Sequence, residues 1–344
     1  MLRFLWVWAA LGAVACSGAL APSGTSNGPR GGPDRAVLRR VGGFEFHGGF
    51  WMDLHHFLYV AARSRNGERD ASRSAVEAAP RELESAGFRP DERAAVDEAI
   101  ETYRRTLARR DLVFDAEAIR VTDGVAALDD GGASTASGAR GFPDAGIARA
   151  LDLAAPGYRR TLWPTHLARH PAWLSEAAPL LEAHGTAMAR GLAAAYGTSW
   201  PTAPIRVDLV AFANWAGAYT VSSSRRITMS SLAADYRAPG CLELLFHEAS
   251  HLLDPQIDGR FEAEARAQGK SLPSDLTHAV IFESAGVLAA RELPGYVPHA
   301  ERNGFWTRRP WPAYRPLLTE NWDPHLEGRF GVEEAVRRLI AALP

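Results

Sequence analysis

The chain has 344 residues, 47% hydrophobic and 23% charged, a composition that fits a globular protein with a sizeable core and excludes a disordered chain. Its formal net charge of -2 supplies no basic field for nucleic acid or for an anionic membrane surface. With only two cysteines there is no disulfide framework, so stability has to come from the core.

Arg3 precedes an unbroken apolar run from Phe4 to Ala15, too short to span a bilayer comfortably and laid out as a secretory signal. Ala13-Val14-Ala15 offers an ordinary cleavage site, while Val14-Ala15-Cys16 matches the end of a bacterial lipobox, with Ala13 where Leu is usual. The expectation for residues 1–16 is therefore an exported protein, lipid-anchored through Cys16 or secreted, with that anchor as its one membrane contact. Residues 17–39, rich in Gly, Pro and Ser, read as a flexible linker. Residues 40–200 read as the helical N-terminal part of a catalytic domain. A helix starts at Pro90-Asp91-Glu92, a loop covers 123–145, and helical patterns cover Gly146 to Leu153, Pro171 to Leu181 and Leu180 to Tyr196. His47, His55 and His56 lie among aromatics and read as core histidines.

Residues 201–344 carry the chemistry. Ile205 to Phe212 alternates as a strand, and Ala218 to Val221 with Ile227 to Ser230 reads as a hairpin around Ser222 to Arg226. Directly after it, Leu242, Leu245, Phe246, Ala249, Leu252 and Leu253 form the apolar stripe of a helix that Asp254-Pro255 is expected to end. Cys241 at its start reads as a small buried hydrophobe. On the polar side, His247 and His251 are four residues apart, so both imidazoles can reach one Zn²⁺. Glu248 lies a small rotation away, placed to act as general base on a zinc-activated water. Asp254 and Glu243 share that stripe, either as solvated charges or as acceptors that orient an imidazole.

A catalytic zinc site needs a third protein ligand and an open position. Glu283 is the favoured candidate, on a helix that Ser274 would cap, because Ala279 and Gly286 flank it and permit a close approach to the metal helix. His278 is the rival, roughly 140° around the same helix, so the two cannot both face the metal.

Residues 241–287 resemble the gluzincin group of thermolysin-like zincins, in which His-Glu-x-x-His is followed by a glutamate on a later helix. That resemblance implies a peptidase with His247, His251 and Glu283 on zinc and Glu248 as base. It also implies an antiparallel edge strand, here Ile227 to Ser230, that pairs with an extended peptide. The family's Asp four residues after the third ligand is Val287 here. Tyr296, His299 and Tyr314 follow, where zincins often place a donor to the developing oxyanion. Trp306 to Trp311 reads as a packed loop edge.

The combined expectation is a mostly helical α+β fold with a zincin-like core and a short mixed or antiparallel sheet beside the metal helix, hydrolysing peptides with Zn²⁺. A catalytically silent zinc-binding or scaffold lipoprotein, and a zinc hydrolase of a non-peptide amide, stay open at this point.

Overall fold

Gly42 and Gly43, at φ +59° and +85°, occupy backbone that L side chains avoid, and they close a tight hairpin between β1 (Val37–Val41) and β2 (Phe44–Gly48). The two strands replace helix and linker in the sequence reading, whose boundaries at 39 and 40 fall inside β1. Their signal was present as a Gly-Gly pair between alternating apolar residues. The computed structural model describes residues 37–67, 73–130, 134–308 and 311–344, so the expected leader, Cys16 and most of the expected linker lie outside the described residues. Among those described, no helix is long and apolar enough to cross a membrane.

β3 (Ile205–Val210), β4 (Ala218–Val221) and β5 (Arg226–Ser230) complete a five-stranded mixed sheet in the order β1-β2-β3-β5-β4. β2, β3 and β5 run parallel, while β4 pairs antiparallel with β5, Thr220 opposite Ile227. The edge strand at this end of the sheet is thus β4, and Ile227 to Ser230, expected at the edge, lies inside the sheet. Period-two alternation assigns the faces. Val207, Leu209, Ile227 and Met229 join one core with Leu242, Leu245 and Phe246, whereas Tyr219 and Val221 join a second core with Phe57, Ile100 and Tyr158.

That second core is built by α1 (Phe50–Arg65), α2 (Arg73–Ser85), α3 (Pro90–Thr106), α4 (Ala116–Ala126) and α5 (Ala145–Thr161). α3 begins at Pro90 as its composition predicts. The expected loop at 123–145 starts later, because α4 continues to Ala126 from an Asp115 N-cap that accepts from the Glu117 and Ala118 amides. The two segments expected from Pro171 to Tyr196 are one 34-residue helix, α6 (Trp163–Tyr196), with Pro171 and Pro179 inside it. Each proline removes one helical bond to the residue four earlier, and those residues, Leu167 and Ser175, lie on the exposed side of the helix. Gly197, at φ +61°, ends α6.

α1 carries the interior polar network. His55 and His56 are buried as expected; His56 Nδ1–H donates to the Met52 carbonyl at 2.7 Å and its Nε2 accepts from the Tyr219 hydroxyl at 2.8 Å. Fully buried Asp53 accepts from the Ala211 amide at 2.8 Å and pairs with His170 Nε2 at 2.7 Å, so one carboxylate ties α1 to α6 and to the end of β3. Burial opposes its ionisation, but His170, His166 and the Ala211 amide outweigh that and hold Asp53 below its ordinary range.

A carboxylate with a lowered folded pKa contributes stability that is present above its unfolded value, 3.8, and is lost as the pH falls through the folded value. Asp53→Asn should therefore cost about 1–3 kcal/mol at pH 7. In urea unfolding the gap to the parent protein should narrow below pH 3.8. A gap that is constant with pH would remove the ionised carboxylate from this role.

Candidate metal centre

The C-terminal half builds the site from two antiparallel helices, α7 (Gly240–Ser250) and α9 (Leu276–Glu292). Between them a 3-10 turn at His251–Leu253 leads into α8 (Asp254–Ala267). Asp254-Pro255 thus opens a helix instead of closing one, since proline at the first helical turn lacks only an N–H that would be unpaired there anyway. α9 starts at Leu276, and Ser274 does not cap it. The preceding Asp275 instead accepts from Trp311 Nε1 at 3.2 Å and from the Tyr314 hydroxyl at 2.6 Å. Cys241 is buried at the start of α7, as expected, and burial pushes its thiol up to about 12.

His247 and His251 meet at the end of α7 with their Nε2 atoms 3.3 Å apart. Two nitrogens on one tetrahedral zinc, each at 2.0–2.1 Å, lie about 3.4 Å from one another, so this pair already has the spacing of adjacent ligands. The third member is His278 of α9: one ligand nitrogen from each of His247, His251 and His278 lies within 4.8 Å of the others. The geometry therefore moves the third position from Glu283 to His278. Glu283 is buried on another side of α9, where it accepts from Arg315 Nη1 at 2.7 Å beside Asp323. Burial first, and then the Asp323 charge, push its carboxyl up to about 7 against the pull of Arg315.

The donor set fits a divalent metal chemically. Burial holds His247 and His278 well below the ordinary imidazole range, His278 down to about 3, so both are neutral bases with a free lone pair at neutral pH. Asp254 accepts from His251 Nδ1 at 3.1 Å, an arrangement that turns the Nε2 lone pair of His251 toward its neighbours. Asp254 thereby takes the orienting role, one of the two readings its position allowed.

Glu248 sits beside the trio. Its Oε2 accepts from the Thr220 hydroxyl at 2.8 Å, and the same hydroxyl lies 2.8 Å from the Glu248 carbonyl. Burial raises the Glu248 carboxyl, opposed by His251 and by Thr220. Thr220 belongs to β4, so the sheet edge fixes the carboxylate, a role that strand periodicity alone did not reveal.

Aromatic rings wall the centre. Phe282, one turn after His278, lies 3.7 Å from the His247 ring centre, and Trp311 lies 5.4 Å from His278 and 5.2 Å from Phe282. Trp306 and Trp311 are thus packed as expected, Trp311 against His278. The three expected oxyanion donors are engaged elsewhere: Tyr296 donates to Glu243, Tyr314 to Asp275, and the His299 ring stacks on Phe282 with its Nδ1 3.2 Å from the Asn303 amide. Glu243, read as either a solvated charge or an orienting acceptor, is fully buried.

No family model, curated protein or solved structure matches this chain. Its chemistry has to be read from the site itself.

The rotation of α9 makes two carboxylate and imidazole variants separable. His278→Ala should weaken zinc by at least ~10-fold in competition with a chelator, because two imidazoles remain. Glu283→Ala should leave zinc affinity within ~2-fold, with its effect confined to stability through Arg315. The opposite ranking would restore Glu283 as the ligand.

Proposed function

We propose that this chain is a zinc-dependent hydrolase of the zincin kind, acting outside the cytoplasm on an extended peptide. The single observation that carries the reading is the convergence of His247, His251 and His278 next to a buried carboxylate, Glu248, that is not part of the trio. A zinc ion on the three imidazoles would lower the pKa of a water toward ~7 and polarise a carbonyl oxygen.

The chain's own residues supply the remaining functions. Glu248 takes the proton from the attacking water and passes it to the leaving amine, which a carboxylate raised by burial does better than an ordinary one. Thr220 holds the carboxylate in one orientation, so the base does not have to be ordered during the reaction. Asp254 fixes His251, and the Phe282 and Trp311 rings exclude water from one side of the centre, which strengthens its electrostatics. β4 supports the choice of substrate class. Among the described residues its outer edge pairs with no other strand, and an extended peptide laid along it would pass beside Glu248, with backbone hydrogen bonds giving affinity and alternate side chains giving specificity.

The test is cleavage of an unbiased peptide library at neutral pH by the parent protein and by Glu248→Gln. The variant should keep its zinc and fold and cleave roughly 10²-fold more slowly, because a neutral amide cannot take the proton. Undiminished cleavage by the variant would sink the mechanism. No cleavage of peptides by a zinc-loaded parent protein would leave a scaffold or a non-peptide amide as the assignment.

A further inference from the structure

Two buried polar atoms of α7 have no hydrogen-bond partner, Glu243 Oε1 and His247 Nδ1. They belong to residues four apart on one helical face, whose Cβ atoms stand about 5–6 Å from one another, within reach of a glutamate side chain. Oε2 of Glu243 is already held, by the Tyr296 hydroxyl at 2.7 Å and by the His299 amide at 2.8 Å. Opposite it α9 presents Gly286, where a Cβ would fall 2.8 Å from Pro298 Cβ and 3.2 Å from Glu243 Oε1. A side chain at this position would clash with Pro298 and crowd the carboxylate in the seam between the two helices.

His251 has Asp254 for its Nδ1, whereas His247 faces the Phe282 ring, which offers no comparable acceptor. A histidine that gives one nitrogen to a metal nearly always donates its other ring N–H, commonly to a carboxylate, and that contact fixes the ring and makes it a better ligand. We propose that Glu243 is the positioning residue of His247: when His247 Nε2 binds the metal, its Nδ1–H donates to Glu243 Oε1. One contact then pairs both orphaned atoms, and the Tyr296 and His299 clamp transmits the position of the chain after α9 to the first metal ligand. Burial pushes the Glu243 carboxyl up to about 7 against the pull of the Tyr296 hydroxyl and the His299 amide. This inference rests on the zinc reading of the three histidines.

The experiment measures the zinc affinity of the parent protein, Glu243→Ala, Glu243→Gln and Asp254→Ala by chelator competition. Urea unfolding of the metal-free proteins and ¹⁵N-edited spectra of the histidine rings accompany it. Glu243→Ala should weaken zinc ~10–100-fold, as Asp254→Ala should. Glu243→Gln, which keeps the shape and an acceptor oxygen, should weaken it less and should shift the ring-proton resonance of His247 in the zinc-loaded protein. A merely structural glutamate would lower metal-free stability and leave that resonance in place. Should Glu243→Ala fail to fold, Glu243→Gln and the ring spectrum carry the test. Unchanged zinc affinity and an unchanged His247 resonance in Glu243→Gln would overturn the proposal, whereas a parent protein that binds no zinc would overturn the reading beneath it as well.

Discussion

The close antiparallel packing of α7 on α9 is the constraint on which the rest of the site depends. Its register sets Glu243 against Gly286, His247 against Phe282, and His251 beside His278, one turn at a time. The helices can approach this closely because one of the three contacts has no side chain on the α9 side. Had α9 been rotated by the ~140° that separates His278 from Glu283, the seam would hold a carboxylate and lose an imidazole. The third imidazole beside the His247 and His251 pair is a consequence of that rotation and not of sequence spacing alone.

The sheet contributes the second constraint. β4 is antiparallel to its neighbour and lies at the edge, so Thr220 points to α7 while Tyr219 and Val221 point into the other core. One alternating strand therefore serves two layers. It steadies the carboxylate of Glu248 through Thr220 and holds His56 of α1 through Tyr219. Buried Asp53 and its imidazole partners tie α1 and α6 to the end of β3, in the frame behind the site.

Local features were legible in the sequence. The four-residue spacing of His247 and His251 needs only helical periodicity, and the hairpin of β4 and β5 and the start of α3 follow from alternation and from a proline with acidic neighbours. Features set by tertiary contact were not legible. The third member of the histidine cluster depends on how α9 is turned, and the small neighbours Ala279 and Gly286 had favoured Glu283 over His278. Pro171 was expected to open a separate helix, yet α6 runs from Trp163 through both Pro171 and Pro179. Glu243 has the charge of a surface residue, and only Gly286, Tyr296 and the His299 amide make its burial possible. Trp311 gave no sign in the sequence that it packs on His278.

The central claim is that three histidines, one of them distant in sequence, form a single metal centre. X-ray absorption at the zinc edge of the purified protein tests it most directly, because it reads metal content and ligand type together. The account expects one zinc per chain with three imidazole ligands at about 2.0–2.1 Å and a further oxygen donor. Absence of zinc, or a spectrum requiring only two imidazoles with a protein carboxylate as the third ligand, would contradict it.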